Sequence, residues 1–161
     1  MTRSKQFVGL MAWLGITFVA AAIGAAASID AATFYAGLTQ PRWAPPGAWF
    51  GPVWTVLYVL MAVSAWLVWR ARGWPAARGA LTMYLLQLAL NALWSVLFFH
   101  WHEGALAFID IVALWLLIIA TLSAFWRAKP MAGALLVPYL VWVSFAMALN
   151  LAVWQFNPQI L

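Results

Sequence analysis

The sequence predicts an all-α bundle of five membrane-spanning helices. Three observations carry that. The chain is 68% hydrophobic and only 7% charged over 161 residues, against about 25% charged in a soluble domain. Five apolar stretches reach the ~20 residues a helix needs to cross hydrocarbon. No alternating pattern of strand length competes with them.

The first span is expected at about 7–29. The start Met1-Thr-Arg-Ser-Lys resembles the n-region of a signal peptide. The apolar run behind it exceeds the roughly 7–15 residues of an h-region, so it reads as a retained span. Ala20, Gly24 and Ser28 form a small-xxx-small ladder that permits close helix approach within the bundle. The remaining spans are expected at about 48–69, 79–99, 105–126 and 131–156, with a kink at Pro138 in the last. Connections are short except for residues 30–47. There Pro41, Pro45 and Pro46 stiffen a segment carrying Tyr35, Trp43 and Trp49. It reads as a lid over one end of the bundle.

Basic residues set the orientation. Seven of the eight lie at the amino terminus (Arg3, Lys5), in the second loop (Arg70, Arg72, Arg78) and in the fourth (Arg127, Lys129). Arg42 alone falls on the other side. The positive-inside rule places the amino terminus in the cytoplasm and the carboxyl terminus outside. The charge excess is thereby a topological signal, and no nucleic-acid partner is expected.

Polar residues inside spans are costly and face a bundle interior or a cavity. Asp110, Asn91, Trp94, Ser95, Trp54, Thr55 and Asn150 lie at similar depths from the outer ends of their helices. At ~1.5 Å per residue they form one tier roughly 7–12 Å below the outer surface. Gln87, Asn91, Trp94, Ser95 and Phe98 share one helical face; Phe50, Trp54, Tyr58 and Met61 share another; Trp142, Ala146 and Asn150 step by four. Gln87, Asn91 and Asn150, each taken alone, are explained by interhelical hydrogen bonding. Asp110 is read as a structural hydrogen-bonding residue. The chain has no cysteine, which excludes thiolate and disulfide chemistry. His100, His102 and Glu103 make a weak metal signal, because residues two apart do not share a helix face, and no metal is expected.

Three motifs in order resemble one family. The first is Pro41-x-Trp43-x-Pro45-Pro46-x3-Phe50-x3-Trp54-x3-Tyr58-x2-Met61. The second is Gln87-x3-Asn91-x2-Trp94-Ser95-x2-Phe98-Phe99, and the third Pro138-Tyr139-x2-Trp142-x2-Phe145-Ala146-x3-Asn150-x3-Trp154. Together they resemble the TspO/translocator protein family, also described as tryptophan-rich sensory proteins or peripheral-type benzodiazepine receptors. The resemblance implies a five-helix bundle, a homodimer, and a pocket beneath the first loop that binds porphyrins such as protoporphyrin IX, haem-related tetrapyrroles and benzodiazepine-type ligands. It implies Tyr35, Trp43, Trp54, Asn91, Trp142, Ala146 and Asn150 as pocket-side residues; helical face and depth add Tyr58 and Trp94. No resident cofactor is required.

The resemblance leaves three functions open: binding as a sensor, regulator or scavenger; light- and oxygen-dependent porphyrin breakdown with Trp54 and Trp142 as the candidate catalytic residues; and transport of tetrapyrrole or lipid. The sterol motif of animal members needs a Tyr followed by a basic residue near the end of the fifth span. Residues 149–155 contain neither, which fits a bacterial integral membrane protein.

Overall fold

The computed structural model describes residues 2–161. Its elements are α1 (Arg3–Ala27), a short α2 (Ala31–Gly37), a 3-10 turn (Gly47–Trp49), α3 (Phe50–Ser95), a π-helical turn (Val96–His100), α4 (Gly104–Ala128) and α5 (Pro130–Phe156). The protein is an all-α bundle. Four continuous helical stretches are long and apolar enough to cross a membrane, one of them running from Gly47 to His100.

That long stretch is folded in two. As a straight rod the 46 residues of α3 would extend ~70 Å at 1.5 Å per residue. Yet the Tyr58 hydroxyl donates to Asn91 Oδ1 at 2.6 Å. The chain therefore reverses between them, and five rods pack side by side. The sequence places a connecting loop at residues 70–78. The structure replaces that loop with one residue out of helix, Gly73, at φ 71°, ψ 166°. Only glycine adopts this backbone region without strain. Pro75 follows, where the first turn of a restarted helix needs no N–H. Residues 50–72 and 74–95 are called the first and second arms of α3.

The other joints are equally tight. Pro130 opens α5 one residue after Lys129, whose extended backbone ends α4. Trp126 at this turn packs against Gly133 so closely that a Cβ there would lie 2.9 Å from the Trp126 Cα. The region expected as a lid contains a helix that periodicity did not reveal, α2, which buries Tyr35.

Contacts fix which segments share an end. Arg72 donates to the carbonyls of Ala128 and Arg127 at 3.5 and 3.4 Å. Trp66 Nε1 donates to the Gln6 carbonyl at 2.9 Å, and Arg70 lies over the Trp66 ring at 4.6 Å. The amino terminus, the α3 reversal and the α4–α5 turn thus gather at one end, with the seven basic residues. At the opposite end Asn157 bonds both the N–H and the carbonyl of Thr39, at 2.8 and 2.9 Å. There too Phe34 stacks on His102 with ring centroids 4.1 Å apart.

The core is densest in the half nearer the basic end. Tyr84, Phe125, Leu81, Ile118 and Leu136 are fully buried. Tyr84 stacks on Phe125 and meets Trp13 edge-on, while its hydroxyl shares a 2.6 Å hydrogen bond with Thr17. Further out along the second arm, at Trp94 and Ser95, the packing opens.

Candidate functional site

A cavity of about 490 Å³ occupies the end of the bundle away from the basic residues. This falls within the ~300–1,000 Å³ typical of small-molecule sites. Its walls come from α1, both arms of α3 and α5, and its roof from residues 29–35 and Gly47. The lining is aromatic on α3, the π-helical turn and α5 (Trp54, Tyr58, Trp94, Phe99, Trp142), and mostly small on α1 (Ala21, Gly24, Ala25, Ser28), where Phe18 is the one large side chain. Among the described residues no charged one lines it.

The aromatic wall is held by its own geometry. Trp54 and Trp142 meet edge-to-face, centroids 6.5 Å apart and planes at 88°. Trp54 also tilts against Tyr58 at 5.5 Å. Trp94 stacks on Phe98 at 5.2 Å, and its Nε1 donates to Asn150 Oδ1 at 2.9 Å. Asn150 in turn donates to the Gly104 carbonyl. Below the wall, Asn91 joins two phenols: it accepts from Tyr58 and donates to Tyr139 at 3.1 Å. Trp142 Nε1 differs from these. It is buried and has no hydrogen-bond partner among the described residues.

The roof is fastened at several points. Tyr35 Oη donates to the Pro45 carbonyl at 3.3 Å, and its ring meets Phe50 edge-on at 5.5 Å. Burial pushes the Tyr35 phenol pKa above its ordinary value, so it stays protonated and able to donate near neutrality. Asn157 ties the far edge of this segment to the end of α5 through Thr39.

Residues expected at the site divide into three groups. Tyr35, Trp54, Tyr58, Trp94, Trp142 and Ala146 line the cavity, as does Ser95. Asn150 lines only a second hollow of about 30 Å³ behind Trp94 and Phe99, and Asn91 lies one layer behind Tyr58. Trp43 lies outside the cavity, half exposed, with its ring edge-on to Phe145 at 5.7 Å.

Two of the residues read as structural have buried atoms without a hydrogen-bond partner among the described residues. Gln87 is fully buried, yet neither of its amide atoms has a hydrogen-bond partner among the described residues. One turn away, the Tyr58 and Tyr139 hydroxyls converge on Asn91. Asp110 is buried with Oδ2 unpaired among the described residues. Three tryptophans without a partner in the sequence gain one. Trp13 packs on Tyr84, Trp66 bonds the Gln6 carbonyl, and Trp115 Nε1 donates to Ser144 Oγ at 2.8 Å.

Sequence reasoning missed the α1 wall. Its signal was the small-residue ladder, read as packing alone. Gly24 does pack, since a Cβ there would lie 3.2 Å from Ser95 Oγ. The same face, with Phe18, Ala21 and Ala25, also borders the cavity. The Asn157–Thr39 pair has no sequence signal, since 118 residues separate the partners.

The TspO/MBR family pattern matches residues 10–155, nearly the whole chain. The chain belongs to the TspO/MBR family. Relatives within it cover most of the length. "Tryptophan-rich protein TspO" of Chlorobaculum tepidum is 37% identical over 161 residues, covering 96% of this chain and 99% of its own. "Protein CrtK" of Rhodobacter capsulatus is 38% identical over 146 residues, covering 89% and 91%. The human "Translocator protein" is 38% identical over 126 residues, covering 77% and 75%. This TspO/MBR member is thus similar to relatives from bacteria and animals alike, and the similarity extends across helices that build the cavity.

Proposed function

We propose that this protein binds a porphyrin or similar flat apolar ligand in the cavity beneath residues 29–47, as a sensor, regulator or scavenger within the membrane. The observation that carries this reading is the asymmetry of the cavity wall. Trp54, Tyr58, Trp94 and Trp142 present aromatic surface opposite Ala21, Gly24 and Ala25. A flat ring system gains most by lying against aromatic faces where the opposite wall leaves room. The N–H of Trp142 is itself buried, so Trp142 offers the ligand ring surface. Asn91 and Asn150 support Tyr58 and Trp94 from behind. In this reading the five rods each cross the membrane, with the basic end in the cytoplasm, and the protein works as a homodimer.

The test is a titration. Protoporphyrin IX should quench tryptophan fluorescence saturably in nanodiscs. Trp54→Ala and Trp142→Ala should each weaken binding about tenfold, comparable to the 1–3 kcal/mol of a stacked ring. Trp115→Ala, outside the cavity, should leave the titration unchanged. Wild-type affinity in both cavity variants would remove this reading.

A second reading, light- and oxygen-dependent breakdown of the bound porphyrin, is favoured by one arrangement: Trp54 and Trp142 are in ring contact and border the same cavity. Bound porphyrin would then lose absorbance under illumination faster in the wild type than in a Trp54→Phe/Trp142→Phe double variant. Equal rates would leave binding alone.

A further inference from the structure

We infer that the cavity opens sideways into the bilayer, between α1 and the first arm of α3, and that its ligand is a membrane-dissolved amphiphile admitted from the outer-leaflet half. This rests on the reading that the cavity binds a ligand. The argument comes from how α1 crosses its neighbours. Near the basic end, α1 presses against the first arm: a Cβ on Gly9 would overlap the Trp69 ring, and Trp66 bonds the Gln6 carbonyl. Further along, its partner changes. Thr17 bonds Tyr84 and Gly24 faces Ser95, both on the second arm. A straight helix that starts on one arm and ends on the other must diverge from the first. The result is a V-shaped gap between α1 and the first arm, with Phe18 and Tyr58 at its apex, ring centroids 6.3 Å apart.

The roof is exposed at Ile29, Ala32 and Gly47, and on the helical walls exposure follows the gap. Of the cavity residues on helical walls, the exposed ones are Phe18 and Ala25 on α1 and Gly51 and Thr55 on the first arm of α3. Those from the second arm and α5 (Trp94, Ser95, Trp142, Ala146) are half-buried or buried. Phe18 lies nine residues before the end of α1 at Ala27, which is ~13 Å at 1.5 Å per residue. The gap therefore extends well below the headgroup level. Its edges are apolar or carry hydroxyls already turned inward: Thr55 Oγ1 donates to the Gly51 carbonyl and Ser28 Oγ to the Gly24 carbonyl. Such edges suit acyl chains rather than water. The roof offers the opposite character, with Tyr35 bonded to Pro45 and Thr39 bonded twice to Asn157. Admission through the roof would break these bonds; admission through the gap breaks none.

The experiment separates the two routes in protein reconstituted into nanodiscs. The chain has no cysteine, so Ala25→Cys can be modified singly. Benzyl methanethiosulfonate would place a reversible plug at the lip of the gap. The readout is the rate at which protoporphyrin IX, supplied in donor vesicles, quenches tryptophan fluorescence. Modification should slow this rate at least tenfold, and reduction should restore it. Ile23→Cys, on α1 but outside the lining, modified in the same way should not slow it. Asn157→Ala, which frees the roof, should change the rate by less than twofold. An unaltered rate in modified Ala25→Cys together with faster uptake in Asn157→Ala would overturn the lateral route and make the roof the gate. Absence of saturable quenching in unmodified protein would instead remove the binding reading itself.

Discussion

Glycines packed against indoles and glycines on the rim of the cavity meet opposite surroundings. Three close approaches are filled by an indole: Trp69 occupies the space beside Gly9 and Trp126 the space beside Gly133 at the basic end, and Trp154 the space beside Gly104 at the other. On the cavity rim Gly51 has nothing within 4 Å of where a Cβ would stand, and Gly47 meets only Tyr35 at 3.7 Å. The same pairing of small and aromatic residues thus serves two purposes. Where indole and glycine face each other in register, the bundle closes. Where the aromatic side chains are held back by their own contacts, as Trp54 is against Trp142 and Trp94 against Asn150, the small residues leave a hollow. Tryptophan content alone therefore does not mark a binding site; what matters is what stands opposite each ring.

The comparison breaks most visibly at Gly133. A methyl group there would lie 2.6 Å from Trp126 Cε3 and 2.9 Å from its Cα. A side chain can rotate away, but backbone at a turn of this length cannot. Gly133→Ala should destabilise the protein by ~1–3 kcal/mol, the usual range for overpacking, despite alanine's better helix propensity. Thermal unfolding in detergent measures it. A neutral result would mean the basic end is looser than its geometry implies.

Asn91 tests the boundary between the halves. Asn91→Ala leaves two buried phenols, Tyr58 and Tyr139, without the partner that joins them. In membrane bundles such bonds average ~0.6 kcal/mol each and reach ~1.7, so a loss of about 1–2 kcal/mol is expected. Tyr58→Phe should reproduce part of it, and the double variant should fall short of the sum. Porphyrin affinity should drop less than in Trp54→Ala, because Asn91 acts on the cavity through Tyr58. A larger drop would place Asn91 in direct contact with the ligand.

How much of this was legible beforehand follows the range of the interactions. Apolar runs and basic residues gave the helices and their shared end, because hydropathy and charge are local. Helical spacing put Trp54, Tyr58, Trp94, Trp142 and Ala146 on inward faces, and these line the cavity. Depth counting set Asn91 and Asn150 in one tier with Trp54 and Trp94, and spacing put Gln87 on the face of Asn91. Neither could say that Asn91 would be taken up by two tyrosines or that Gln87 would find no bond, because both depend on where side chains from other helices end. Reversal at a single glycine was masked by an arginine-rich stretch that reads as a loop. The divergence of α1, which opens the cavity, is a crossing angle, and no periodicity encodes it.

The smallest effect belongs to Gly51, and it is the sharpest contrast with Gly133. Gly51→Ala adds a methyl group with no atom within 4 Å, so overpacking is absent. Alanine is favoured over glycine in a helix by up to ~1 kcal/mol, and this site lies in the first turn of α3, where less of that is realised. Stability should hold or rise by ~0.5 kcal/mol or less. The added volume is small beside a cavity of about 490 Å³, so equilibrium porphyrin affinity should change less than threefold. Since Gly51 stands on the lip of the gap, the same methyl group should act first on the rate of uptake, lowering it modestly while the endpoint of the titration stays where it was. A loss of stability like that of Gly133→Ala would show that this end of the bundle closes on itself, as the other does.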